Sequence, residues 1–122
     1  MSWNFSDDRP IYLQLMEQIQ LRIICGTYKV GEKLPSVRDI AREASVNPNT
    51  MQKALTELER TGLVFSKRTS GRFITEDTQM IKNIRNDLAK DQISSFFKNM
   101  KKFGYTQEEI IELVKKISKE MK

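Results

Sequence analysis

The sequence predicts a mostly α-helical chain with one small β-hairpin, an α+β fold, and three observations predict it. Apolar residues recur at i, i+3, i+4 and i+7 through two short neighbouring segments, Val37 to Ala44 and Met51 to Leu58. The stretch "GLVFSKRTSGRFIT" abandons that period for β-formers on either side of a centre rich in Lys, Arg, Ser and Gly. Beyond Glu76 apolar residues return at near-heptad spacing, in a segment too short for a second full domain. One domain and a tail are therefore expected within the 122 residues.

The first helix is expected from about Pro10 to Ile24. Proline suits its first turn, and Ile11, Leu15, Ile19 and Ile23 stand four apart on one face. Gly26 offers a left-handed stop. Cys25, at the end of the apolar run "IIC", reads as a small buried hydrophobe. A second helix opens at Ser36, three residues before Asp39 in a capping-box pattern, and carries Val37, Ile40, Ala41 and Ala44 on one side. Three residues later Asn47 supplies a cap and Pro48 the first helical position of a third helix, striped by Met51, Ala54, Leu55 and Leu58. Strands follow at about Leu63 to Ser66 and Arg72 to Thr75, with Gly71 supplying flexibility in the basic turn. A long helix then carries Ile81, Ile84, Leu88, Phe96, Met100 and Phe103 and stops at Gly104. The last helix begins with the capping box Thr106 to Glu109 and lines up Ile110, Val114, Ile117 and Met121.

Composition excludes several functions. The sequence has no histidine, so the commonest general base and metal ligand are missing, and its single cysteine has no imidazole to activate it. No catalytic residue, metal or cofactor is expected. The lone cysteine rules out a disulfide scaffold, and the N-terminus lacks the pattern of a secretory signal, so a cytoplasmic protein without membrane association is expected. The net charge of +5 is not itself evidence of DNA binding, because most of the surplus lies beyond residue 77. Local clusters decide the matter.

Helix, short helix, tight turn, short helix and basic hairpin make a winged helix-turn-helix, in which the second helix of the pair enters the DNA major groove. On a 100° wheel, burying Met51, Ala54, Leu55 and Leu58 turns Asn49, Lys53, Thr56 and Arg60 outward, with Thr50 and Gln52 on the flanks. Asn, Gln and Thr suit base edges, whereas Lys and Arg serve phosphate or guanine. Arg38, Arg42, Lys67, Arg68 and Arg72 supply phosphate-positioning charge around that helix. Each residue also has a plainer role. Capping alone accounts for Asn47, and the sequence leaves open whether it also reads a base. Arg38, Arg42 and Arg60 are equally suited to ordinary solvated or ion-paired surface.

Residues 10–75, with "G-x-x-L-P-S-x-R", "V-N-P-N-T" and "L-x-x-G-L", resemble the N-terminal domain of the GntR family of bacterial transcription regulators. The resemblance implies DNA contacts from Arg38, from Asn47, Asn49, Thr50 and Gln52 at the start of the recognition helix, and from the wing around Ser70 and Gly71. Many members carry a basic residue where Pro48 stands and a glycine where Ser45 stands. Base preferences are thus not carried over, and a left-handed Ser45 would be mildly strained. The short tail resembles that of the YtrA subfamily, which implies targets such as transporter operons.

These readings assign residues 1–77 to a DNA-binding domain and 78–122 to a two-helix dimerisation tail. A helix of about 25 residues, roughly 37 Å long, cannot bury its own apolar face. A second copy of the chain is the expected cover, through Ile81, Ile84, Leu88, Phe96, Met100, Phe103, Ile110, Val114 and Ile117, and the pair would present two recognition helices to a palindromic operator in double-stranded DNA. Folding of the tail back on its own domain is the alternative. The expected function is a homodimeric, sequence-specific regulator, most simply a repressor. Its rivals are a non-sequence-specific architectural DNA- or RNA-binding protein, which the polar Asn49 and Gln52 disfavour, and a protein-interaction module, which the basic wing disfavours. Phe96, Phe97, Phe103 and Tyr105 read as core in preference to a ligand pocket, and no small-molecule effector is assigned.

Overall fold

The structure, a computed structural model, describes residues 2–121. Its elements run α1 (Ile11–Ile24), α2 (Val37–Ala44), α3 (Pro48–Thr61), β1 (Val64–Lys67), β2 (Gly71–Ile74), α4 (Thr78–Lys101) and α5 (Gln107–Glu120). Two compact units divide within α4, Met1–Ile84 and Arg85–Lys122.

The first unit's core grows from the helical stripes. Leu15, Ile19 and Ile23 of α1, Ile40, Ala41 and Ala44 of α2, and Met51, Ala54, Leu55 and Leu58 of α3 are all buried, and Leu63, Val64 and Ile74 extend the core beneath the hairpin. Each fully buried Leu or Ile contributes about 1.5–3 kcal/mol relative to its exposed state. Ile11, at the opening turn of α1, is exposed in spite of the predicted stripe. Cys25 is exposed too, correcting its expected burial. It stands two residues past Ile23, about 200° around the helix from the buried stripe. Its Sγ lies 3.3 Å from Thr27 Oγ1, and that hydrogen bond lowers the thiol below its ordinary pKa.

Capping chemistry sets the helix-turn-helix. Ser36 Oγ accepts from the Asp39 N–H (3.1 Å), but the return half of the expected box is not made, since the short Asp39 carboxylate faces Arg42 at 3.7 Å. Asn47 Oδ1 accepts from the Asn49 N–H at 2.7 Å, with Pro48 opening α3. Between the two helices Ser45 adopts φ 57° and ψ 44°, the left-handed conformation anticipated for a turn where glycine is usual.

β1 and β2 pair antiparallel, Val64 with Ile74 through Lys67 with Gly71, so each strand is offset by one residue from its predicted bounds. A further segment adds to the sheet. Leu34 N–H donates to Arg72 O and Ile74 N–H to Glu32 O, both at 2.9 Å, with a bridge between Lys33 and Phe73. The chain before α1 is also ordered against the core. Gln14 and Gln18 exchange amide hydrogen bonds with the backbone of Ser6 and Asn4, and the buried Arg22 guanidinium lies 3.5 Å from the Trp3 ring centroid.

The start of α4 belongs to the first unit, where Ile81 and Ile84 pack against the core, although the heptad reading assigns them to a subunit interface. In the second unit α5 begins with a complete capping box, Thr106 N–H to Glu109 Oε1 at 2.9 Å and Glu109 N–H to Thr106 Oγ at 3.2 Å. Ile110 is fully buried within the chain. Leu88 and Met100 are half-buried, while Phe96, Phe103, Val114 and Ile117 are exposed.

Candidate nucleic-acid interface

Burial of Met51, Ala54, Leu55 and Leu58 fixes the rotation of α3, because the opposite side of a helix with that stripe must face solvent. Asn47, Asn49, Gln52, Lys53, Thr56 and Arg60 are accordingly exposed, and Thr50 is half-buried at the flank. The first turn is uncharged apart from the peptide dipoles, whose N–H groups favour anions there. Asn47 Oδ1 accepts the capping bond with one lone pair, which leaves its amide N–H groups and a second lone pair for another partner.

The basic residues divide into free and engaged groups. Arg38 and Arg68 are exposed with no ion pair among the described residues. Arg42 pairs with Asp39 at 3.7 Å and Arg60 with Glu57 at 3.6 Å. The cations are largely exposed in both pairs, which hold them only weakly, contributing under about 1 kcal/mol each. Lys53 Nζ stands 3.8 Å above the Tyr12 ring, a contact that draws its ammonium toward α1. Lys67 Nζ lies 4.5 Å from the Phe73 centroid, beside the stacked pair Phe65–Phe73 at 5.9 Å.

Arg72 differs most from its reading as a phosphate contact. Its Nε donates to Glu59 Oε1 at 2.5 Å, and its Nη1 donates to Gln52 Oε1 at 3.4 Å. The same Glu59 oxygen accepts from Ser66 Oγ at 2.7 Å. The hydrogen bond from Ser66, followed by that from Arg72, holds the Glu59 carboxyl below the usual glutamate range in spite of partial burial. The hairpin is thereby tied to the recognition helix. Sequence reasoning missed Glu59 and Ser66 as members of this cluster. A signal existed: Glu59 lies seven residues after Gln52 and therefore on the same helical face.

At the tip of the wing, Arg68, Thr69 and Ser70 are exposed, and Thr69 has φ 67°, an unusual conformation for a β-branched residue. Gly71 has φ 109°, a backbone conformation that favours glycine, and a Cβ there would meet Lys33 Cε at 3.1 Å, so the lysine chain would have to shift slightly. The wing and the opening of α2 border a cleft of about 630 Å³, whose walls include Lys33, Val37, Leu55 and Ser70. Among the described residues no group of His, Cys, Asp and Glu side chains could hold a metal ion. The arrangement presents exposed hydrogen-bonding side chains on α3, with exposed cations on α2 and on the hairpin, as groove and backbone contacts to a duplex require.

Known proteins share this architecture. Residues 11–74 match the profile described as "Bacterial regulatory proteins, gntR family". The chain is 39% identical to the uncharacterised HTH-type transcriptional regulator YhcF of Bacillus subtilis (strain 168) over 115 residues, 94% of this chain and 95% of that protein. It is 35% identical to the HTH-type transcriptional repressor YtrA of the same organism, over 93% of this chain and 88% of the relative. Among solved structures, a GntR family transcriptional regulator from Listeria monocytogenes superposes with a TM-score of 0.84 at 43% identity, covering 92% of this chain and 98% of the other. The chain belongs to the gntR family of bacterial regulatory proteins and is a DNA-binding transcriptional regulator, not an enzyme.

Proposed function

We propose that the chain acts as a cytoplasmic homodimer that represses transcription by occupying a palindromic operator. The observation that carries this reading is the set of hydrogen-bonding side chains Asn49, Gln52 and Thr56 exposed on α3, together with the exposed cations Arg38 and Arg42 of α2 and Lys67 and Arg68 of the wing. Asn49, Thr50 and Gln52 read base edges; Arg38, Arg42, Lys67 and Arg68 neutralise phosphates; the backbone at Ser70 and Gly71 brings the wing close to the duplex. Asn47 caps α3, and Lys53 contacts DNA from its position over Tyr12. Leu88, Phe96, Met100, Phe103, Val114 and Ile117 supply the apolar face that a second copy covers. Repression is favoured by the likeness to a relative named a transcriptional repressor, and control of a transporter operon by the resemblance of the short tail to the YtrA subfamily. Among the described residues no helix is long and apolar enough to cross a membrane, which accords with a regulator free to reach DNA.

Selection of bound duplexes from a random library at about physiological salt tests this reading. The expected product is an inverted repeat whose half-sites lie one helical turn or a multiple apart. Salt-sensitive binding with no enriched sequence would replace it with an architectural role resting on phosphate contacts alone.

A further inference from the structure

Three elements meet on the Glu59 carboxylate, beside the wing and one residue pair from its turn. Arg72 of β2 donates to Glu59 of α3, which also accepts from Ser66 of β1, and Arg72 Nη1 reaches Gln52 Oε1, two turns before Glu59 on the same face of α3. The Arg72 and Glu59 side chains are only 18% and 29% exposed, so this guanidinium is a partly interior group with little freedom to follow a phosphate. Gln52, by contrast, is exposed at the reading face.

A glutamine amide carries an acceptor oxygen and two N–H donors. With both ends free it matches adenine, donating to N7 while accepting from the N6 amino group. An oxygen turned back toward Arg72 points that acceptor away from a base and leaves the N–H donors to face it. Guanine presents two neighbouring acceptors, N7 and O6, to such a donor, whereas the adenine amino group would meet donors only. We infer that Arg72 is a positioning residue that sets the base preference of Gln52, orienting its amide as a donor toward guanine and against adenine. The inference rests on the sequence-reading function proposed above. Glu59 fixes Arg72 in turn, and Ser66 fixes Glu59, so specificity at one base pair depends on the hairpin being seated on α3.

Selection with the wild-type chain, then with Arg72→Met, Glu59→Ala, Gln52→Met and the Gln52→Met/Arg72→Met double variant, tests the inference. The wild type should favour guanine over adenine by about fivefold or more at one position of each half-site, within the range of a single good base contact. Arg72→Met should erase that preference, or shift it toward adenine, while leaving other positions as they were. Glu59→Ala should do the same with the arginine still present, which keeps the test alive if Arg72→Met does not fold. In the Gln52→Met background, Arg72→Met should no longer alter base preference, because the residue through which it acts is gone. An unchanged motif in both Arg72→Met and Glu59→Ala, with affinity reduced equally for all sequences, would overturn the inference and leave the DNA-reading function standing. Absence of any motif from the wild type would overturn that function and the inference together.

Discussion

The two units of the chain solve the problem of burial differently. In Met1–Ile84 α1, α2, α3 and both strands contribute buried apolar side chains, so α3 is held by a core closed from within the unit. In Arg85–Lys122 the long helix has no buried residue and α5 contributes only Ile110, while Phe103 is 75% exposed and Ile93, Phe96, Val114 and Ile117 are also open. In this unit α5 has well-made ends, including a complete capping box, but among the described residues only Ile110 is a buried apolar side chain. Local chemistry thus accounts for its helices, and its exposed apolar side chains form the face that we propose a second copy covers.

The largest effect that separates the units is expected from Leu55→Ala. It should destabilise the first unit by about 2–5 kcal/mol, read by denaturant unfolding, and weaken DNA binding with it. Phe96→Ala, at an exposed site, should cost a dissociated chain far less. A Phe96→Glu/Val114→Glu variant should keep its helix content but sediment as a monomer. Persistence of the dimer would place the interface on another surface.

A pH series gives a smaller effect, confined to the first unit. Because the folded Glu59 carboxyl lies below the ordinary glutamate value, its contribution is complete above that value and disappears as pH falls through the lower folded one. The stability advantage of the wild type over Glu59→Gln should therefore hold near neutrality and shrink only below about pH 4.5. Thermal unfolding of both proteins from about pH 7 to about pH 3 measures it. Smallest is Ser45→Gly, which should raise stability by about 0.5–1 kcal/mol by relieving the left-handed serine. A loss there would mean that the Ser45 side chain contributes more than its conformation costs.

What was legible in the sequence is what neighbouring residues decide. Ser36, Asn47 and Thr106 cap the helices they precede, and the change from helical to alternating period marks the hairpin to within a residue. What was not legible depends on residues far apart in the chain. The pairing of Glu32–Leu34 with β2 has no apolar alternation to announce it, and Arg22 is buried because Trp3, nineteen positions earlier, stacks on it. Arg72 reads as a free wing cation until Glu59 and Gln52 are seen beside it. Ile81 and Ile84 continue the heptad pattern of α4, yet they pack on the first unit, because one apolar stripe can serve two neighbours in succession. Cys25 was recoverable from geometry alone, being on the wrong side of α1 for the stripe it follows.

The central claim, a self-sufficient reading unit joined to a tail that requires a second copy, is tested most directly by the stoichiometry of the complex with the selected duplex. Light scattering or native mass spectrometry should find two chains per palindromic duplex for the wild type, and markedly weaker binding for Phe96→Glu/Val114→Glu. One wild-type chain per duplex, bound as tightly as the tail variant binds, would contradict it.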